Sequence, residues 1–240
     1  MDISAKNVVV ITGAGSGLGR TFARALAAAG WSVALIGRRL DRLEETLEGL
    51  DPVGDHLPLV CDIADPAAVS LAFDQLISHY GRLDLLVNNA GVPGPTGQLD
   101  TVGFEAWEQT LATNLTGTFL CTQQAFAWMS AHGGGRIINN GSIAAHAPRS
   151  GTAAYAASKA AVASLTVSTA LDGRAYGITA TELDIGNAQT DLLGSFTGDE
   201  PMFDATEAAR LLVTVAALPT GVSVDRVTVT AAGMPYLGRG

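Results

Sequence analysis

Cysteine, long apolar runs and positive charge are all scarce in this chain, and each scarcity argues against a class of function. Two cysteines, Cys61 and Cys121, stand far apart with no Cys-x-x-Cys pair and no Cys/His cluster. Neither a disulfide framework nor a zinc site is expected, and no metal is expected elsewhere. Both thiols read as buried. No apolar run reaches the ~18 residues of a membrane span, and the opening MDISAKNVVV lacks the basic start and apolar stretch of a secretory signal. The expectation is a cytoplasmic protein with no membrane partner. Lys and Arg number 14 against 23 Asp and Glu, a net charge of −9. A field of that sign repels a phosphate backbone, so nucleic acid is not expected as a partner, and any bound anion must be held by local donors. Charged residues amount to only 15 % and apolar ones to 48 % of 240 residues. That balance suits one compact domain over 1–240, able to bury roughly 70 to 75 % of its unfolded surface.

Repeats, low-complexity tracts and linkers are also missing, and a steady alternation takes their place. Short β-branched runs recur at residues 8–12, 32–37, 57–61, 83–88, 136–140, 178–184 and 226–230, with helical patterns between them. Most of these runs are apolar at nearly every position, as in strands covered on both faces. Gly30 follows a helical pattern as a C′ residue. Asp65-Pro66 supplies an N-cap and a first-turn proline for a helix that stops before Gly81, and Asp204-Ala-Thr-Glu207 has the form of a capping box. The fold class that follows is α/β, a doubly wound parallel sheet of about seven strands with helices on both faces. Ligands in that architecture bind beyond the carboxyl ends of the strands.

The loops at those ends carry the informative residues. "TGAGSGLG", residues 12–19, follows the first strand run and opens a helix, where backbone N–H groups and the helix N-terminus can cradle a pyrophosphate. Its glycines, Gly13, Gly17 and Gly19, fit T-G-x-x-x-G-x-G better than strict G-x-G-x-x-G. "CDIAD" sets Asp62 after the third run, and "NNAG", residues 88–91, follows the fourth. "YAASK" puts Tyr155 and Lys159 four residues apart, on one face of a helix. Each has a plainer reading on its own: a tight turn, an Asx-turn, a loop, a solvated surface pair. In this order they resemble the short-chain dehydrogenase/reductase family, a Rossmann-fold family, over Val8 to Thr190 with a weaker match beyond.

The resemblance implies a catalytic set of Tyr155, Lys159, Ser142 in "NNGSIAA" and Asn114 in "LATNLTG". It implies cofactor contacts at Gly13, Ser16, Gly17, Leu18 and Gly19, at Arg38 and Arg39, at Asp62 and Ile63, and at Asn89, Ala90 and Gly91. Tyr155, Lys159, Gly186 and Thr190 complete that set. The expected activity is hydride transfer between a nicotinamide and the carbon of a carbonyl or secondary alcohol, the substrate being a 3-oxoacyl thioester or another small ketone or alcohol. Such a transfer leaves a proton to deliver or remove, which requires an acid/base beside the cofactor. Phenols ordinarily titrate near ~10, so work near neutrality needs the phenolate favoured, and an ammonium one turn away does that. Ser142 would hold the substrate oxygen toward the Tyr155 hydroxyl. Asn114 would open its helix and hold a water linking Lys159 to solvent. A rival from another class is a dinucleotide-binding redox sensor or scaffold without turnover. That rival is expected to lack part of the catalytic set, and this chain has all of it.

Cofactor choice rests on "LIGRR". An acid at the end of the second strand run would bind the ribose hydroxyls and select NAD, whereas this chain has Gly37, followed by Arg38 and Arg39, whose planar forks suit a 2′-phosphate. NADP(H) is the expected preference, with NAD(H) the alternative. Two departures from the family pattern stand out: Ile185-Gly186 where proline-glycine is usual, and the ending "TAAGMPYLGRG". The substrate wall is expected from residues 144–151, 93–96 and a covering segment at about 191–205, whose Leu192, Leu193, Phe196, Met202 and Phe203 either line the pocket or pack the segment down. His146 reads as a solvated loop histidine and Arg149 as a candidate for an anionic substrate tail. The resemblance also implies a homodimer or homotetramer, for which Phe119, Phe126, Trp128 and Met129 offer apolar surface, the alternative being that much of it faces the sheet.

Overall fold

The computed structural model describes residues 7–52, 54–190 and 200–234. In chain order these form β1 (Val8–Thr12), α1 (Gly17–Ala28), β2 (Ser32–Gly37), α2 (Leu40–Leu47), β3 (His56–Val60), α3 (Pro66–Tyr80), β4 (Leu85–Asn88), α4 (Phe104–Leu111), α5 (Thr118–Ala131), β5 (Gly135–Asn140), α6 (Ala153–Gly173), β6 (Ile178–Ile185), β7 (Ala188–Gln189), β8 (Phe203–Asp204), α7 (Ala205–Ala216) and β9 (Arg226–Val229). A 7-stranded sheet runs β3-β2-β1-β4-β5-β6-β9, and β7 pairs with β8 apart from it. Every pairing in the sheet is parallel.

Alternation along the strands divides the core into two layers. Val9 and Ile11 of β1 and Leu35 of β2 pack with Phe22, Leu26 and Leu212 of α1 and α7. Val10, Ile36 and Leu86 face the opposite way, onto Phe73, Leu76 and Met129 of α3 and α5. A sheet covered on both faces explains why β1 is buried at every position and reads as a continuous apolar run. Pro58 sits in β3 at the sheet edge, where a missing N–H costs no interior ladder bond.

The punctuation read from sequence operates as expected at α3 and in part at α7. Asp65 accepts from the Ala67 and Ala68 amides at 2.8 and 3.3 Å, and Gly81 closes α3 at φ +61°. Asp204 caps α7 through the Thr206 amide at 2.8 Å, but Glu207 does not return to complete a capping box; its carboxylate pairs with Arg210 at 2.8 Å. Strand limits shift by a residue or two, β3 starting at His56 and β4 at Leu85. Cys61 and Cys121 are buried free thiols. Among the described residues no helix is long and apolar enough to cross a membrane. Leu192, Leu193, Phe196 and the tail beyond Met234 lie outside the described residues.

The strand order reverses between β1 and β4, so the loops leaving these strands diverge and open a crevice at the carboxyl edge of the sheet.

Candidate active site

The turn between β1 and α1 is shaped by close approach. Gly13 has φ +66°, and a Cβ there would lie 2.8 Å from the Ala90 Cα; one on Gly19 would run into the Gly13 carbonyl. Glycine is therefore required for the turn to nest against the loop after β4. Thr12 locks the two together, its Oγ1 accepting from the amides of Asn89 and Ala90 at 3.0 Å each. The Asn89 side chain donates to the Thr12 carbonyl at 3.0 Å and accepts from Asn140 at 3.0 Å. Three strand ends are thus tied by one short chain of hydrogen bonds, and the N-terminus of α1 faces the crevice with its donors directed at any anion placed there.

That crevice is a cavity of about 360 Å³. Of the residues singled out from sequence it is lined by Gly13, Ser16, Gly17, Leu18, Arg38, Arg39, Asp62, Ile63, Asn89, Ala90, Gly91, Tyr155, Lys159 and Thr190. Gly19 packs behind the turn instead of facing the cavity, and Gly186 borders a neighbouring one. Asp62 also closes an Asx-turn onto the Ala64 amide at 3.0 Å, so the plainer reading of that residue holds alongside its position on the wall. Arg42 lines the same wall and holds Glu45 through two 2.9 Å contacts. Sequence reading missed it, although a third arginine one turn after Arg38 and Arg39 was a visible signal.

Tyr155 and Lys159 lie in the first two turns of α6. The Lys159 ammonium stands 5.7 Å from the centre of the Tyr155 ring and donates to the Asn140 carbonyl at 2.6 Å. Asn114 falls in a π-helical turn, Ala112–Gly117, between α4 and α5. Its side chain is almost wholly buried and exchanges two hydrogen bonds with the Val92 backbone, 2.8 and 2.9 Å, donating a third to Ser158 at 3.0 Å. The amide therefore goes to Val92 and Ser158, and it holds the loop after β4 against α6. Ser142 follows β5, its Oγ accepting from the Ala144 amide at 3.1 Å as the cap of the 3-10 turn Ile143–Ala145.

A second cavity of about 470 Å³ meets the first at Tyr155, Asn140, Leu18 and Thr190. Ser142, Ile143, Ala144, Ala147, Pro93 and Thr96 line it, as does the turn after β6 from Ile185 to Ala188. The path of that turn is set without proline. The Gly186 amide donates to Val229 at 2.8 Å, and a Cβ on Gly186 would come within 2.9 Å of Thr230. Arg149 reaches this cavity with its guanidinium already engaged by Glu200 and by Asn187 Oδ1 at 2.9 Å.

His146 turns away from both cavities. Its Nε2 lies 3.2 Å from Asp184 Oδ2 and 4.0 Å from Glu182 Oε1, and Arg226 Nη1 approaches the same nitrogen at 3.1 Å. Burial, then the adjacent Asp184 carboxylate, pushes Glu182 up to about 7; burial raises Asp184 as well, against the pull of His146. Sequence reading passed over this group and left His146 as a solvated loop residue. The signal was two acids at i and i+2, on the face of β6 that otherwise carries Ile178 and Ala180.

Comparison with known proteins agrees with this geometry. A family model described as short chain dehydrogenase matches residues 7–201. Sulfoacetaldehyde reductase 2 of Chromohalobacter salexigens is 34% identical over 235 residues, 93% of each chain. Among solved structures, 3-ketoacyl-(acyl-carrier-protein) reductase from Brucella melitensis complexed with NADH superposes with a TM-score of 0.88 at 26% identity, covering 95% of this chain and 99% of that one. A variant of actinorhodin polyketide ketoreductase with NADPH gives 0.87 at 26% identity, covering 96% and 98%.

Proposed function

This chain belongs to the short-chain dehydrogenase family, and from that premise we propose an NADP(H)-preferring enzyme whose acid/base is Tyr155. The general activity, nicotinamide-dependent interconversion of a carbonyl and an alcohol, follows from the family. The observation that carries the finer reading is the place of Tyr155 at the junction of the two cavities, with Lys159 beside its ring and Ser142 in the second cavity wall.

The glycine turn, the α1 N-terminus and the walls at residues 38–39, 62–63 and 89–91 would hold the dinucleotide, whose nicotinamide supplies or accepts the hydride. In the reductive direction the Tyr155 hydroxyl gives its proton to the substrate oxygen as the carbon is reduced. Lys159, fixed by the Asn140 carbonyl, favours the phenolate left behind. Oxidation runs the same proton backward. Ser142 holds the substrate oxygen by hydrogen bonding. Asn114 is a positioning residue that keeps Gly91 close beside Lys159, where an added Cβ would lie 3.9 Å from the ammonium.

Gly37, Arg38 and Arg39 at the far end of the first cavity support the preference for a 2′-phosphate. The largely apolar second cavity supports a 3-oxoacyl thioester or another small ketone or alcohol as substrate. Phe119, Val167 and Leu171, 44%, 58% and 51% exposed on α5 and α6, support assembly as a homo-oligomer. Two buried, unpaired thiols fit a cytoplasmic setting. The test is nicotinamide absorbance against a panel of ketones and aldehydes with each cofactor. Turnover with NADPH that is lost in Tyr155→Phe is the expected result; tight cofactor binding with no turnover on any carbonyl would favour a sensor.

A further inference from the structure

The group of charges beside Ser142 is not used by this chemistry, and its arrangement is unusual. Glu182 and Asp184 are 4% and 0% exposed; the two carboxyls bond each other when one holds a proton and the Ser142 amide approaches Asp184, but among the described residues no side-chain donor reaches Glu182 Oε1 or Asp184 Oδ1. Burying two ionised carboxylates side by side is costly unless one takes up a proton or a cation joins them. The chain even makes room for them, since a Cβ on Gly141 would strike Asp184. Two cationic side chains act on the pair. Lys159 is committed to Asn140, and Arg226 sits exposed on the edge strand β9.

His146 completes the group in a way that hydrogen bonding cannot satisfy. Its Nε2 faces an acceptor, Asp184 Oδ2 at 3.2 Å, and a donor, Arg226 Nη1 at 3.1 Å. One nitrogen carries either a proton or a lone pair, so only one of these contacts can be a hydrogen bond at a time. A metal ion resolves the conflict, because it accepts electron pairs from the imidazole and both carboxylates together. One ligand atom from each of the three residues lies within 4.8 Å of the others. Ligands at about 2.0–2.2 Å in a tetrahedron lie roughly 3.3–3.6 Å apart. The His146–Asp184 separation is nearly there, and Glu182, at 4.0 Å from Nε2, needs only a small inward rotation. His146 keeps 32% of its side chain exposed, leaving a way in from solvent.

We propose that His146, Glu182 and Asp184 form a binding site for a first-row divalent cation, with Zn²⁺ preferred, which ties the turn after Ser142 to β6. Three protein ligands leave one position for solvent, and the mixture of imidazole with carboxylate suits Zn²⁺ better than Mg²⁺. Arg226 competes for the site from its rim and swings into solvent when the ion enters.

The test is calorimetric titration of the chelator-treated full chain with ZnCl₂, MnCl₂ and MgCl₂ at neutral pH, paired with thermal melting, neither of which depends on turnover. Zn²⁺ is expected to bind one per chain, more tightly than Mn²⁺, with no Mg²⁺ signal, and to raise Tm. His146→Ala, at the exposed rim, should weaken Zn²⁺ binding by more than about 100-fold, beyond the loss of an outer-sphere partner, and abolish the Tm shift. Arg226→Ala should tighten it several-fold by removing the competitor. Absence of stoichiometric Zn²⁺ binding in the wild type, or wild-type affinity in His146→Ala, overturns the proposal. Asp184→Asn is the less informative variant, since a change at so buried a position can unfold the chain by itself.

Discussion

The two cavities that meet at Tyr155 are built on different plans. The first is walled mostly by loops that follow β1 to β4, closed by Tyr155 and Lys159 of α6, and its shape is held by short contacts onto main-chain atoms, such as Thr12 Oγ1 with the Asn89 and Ala90 amides. The second is walled mainly by residues 140–155 and 185–190, with Leu18, Pro93 and Thr96, and its charged residues are spent on one another, Arg149 on Glu200 and, behind the wall, His146 on Asp184. A region held by contacts onto main-chain atoms accepts one kind of ligand. A region held by exchangeable side-chain pairs can be retuned without disturbing its neighbour.

The sharpest way to break the comparison is at the junction itself. Tyr155→Phe should lower kcat by about 10²–10⁴-fold, the usual weight of a positioned acid/base, with cofactor Kd nearly unchanged. Lys159→Ala should damage both, because its ammonium borders the first cavity and also neighbours the Tyr155 ring. Steady-state rates and cofactor fluorescence titration check this. A Tyr155→Phe variant that kept most of its rate would refute the assignment.

A smaller effect belongs to the first cavity alone. Gly37→Asp with Arg38→Leu should move the NADPH/NADH ratio of kcat/KM toward NADH by roughly ten- to a hundredfold, the worth of a charge-assisted pair. A Cβ on Gly37 would lie 3.0 Å from Leu43 Cδ2, so some loss could be steric. Gly37→Ala separates the two causes, since it adds the Cβ without the charge and should leave the ratio unchanged.

Legibility in the sequence follows the same division. Strands covered on both faces announce themselves as apolar runs, and a glycine turn or a Tyr-x-x-x-Lys pair is a local pattern with a local cause. All but Gly19 and Gly186 of the expected cofactor residues do line the first cavity. Contacts between distant segments leave no such trace. Nothing near His146 in the chain announces that β6 will bring Glu182 and Asp184 to it, and nothing near Arg149 announces Asn187 or Glu200. Even the Asn114 amide was legible in position but not in partners, because Val92 and Ser158 reach it only after α4, α5 and α6 pack.

Retuning the second cavity should be easier still. Glu200→Gln removes a negative charge beside Arg149, which keeps its Asn187 contact, and so makes the wall more receptive to an anionic substrate tail. The expected result is a gain of about threefold to tenfold in kcat/KM for carbonyl substrates with a carboxylate or sulfonate tail over neutral analogues, about what 1 kcal/mol supplies. Cofactor constants should not move. An equal change for charged and neutral substrates would mean that Arg149 is structural only.

The smallest effects come from the helix caps, and they test whether the division extends past the cavities. Asp65→Ala removes a side chain that accepts from two amides at the start of α3. A cap of this kind contributes about 1 kcal/mol, so Tm should fall by roughly 2–4 °C with kinetics unchanged. Asp204 caps α7 and lies in β8, whose neighbour Phe203 pairs with Ala188 in the second cavity wall. Its loss should therefore raise KM for the carbonyl substrate as well as lower Tm, while leaving cofactor affinity alone. The pH dependence gives a further check. The Thr206 amide first, and then its hydroxyl, hold the Asp204 carboxyl below its ordinary range. The stabilisation is present above that range and is lost as pH falls through the depressed value, so the Tm gap between Asp204→Ala and wild type should close on acidification. A KM unaffected in Asp204→Ala, or raised equally in Asp65→Ala, would show that the second cavity does not depend on the α7 cap.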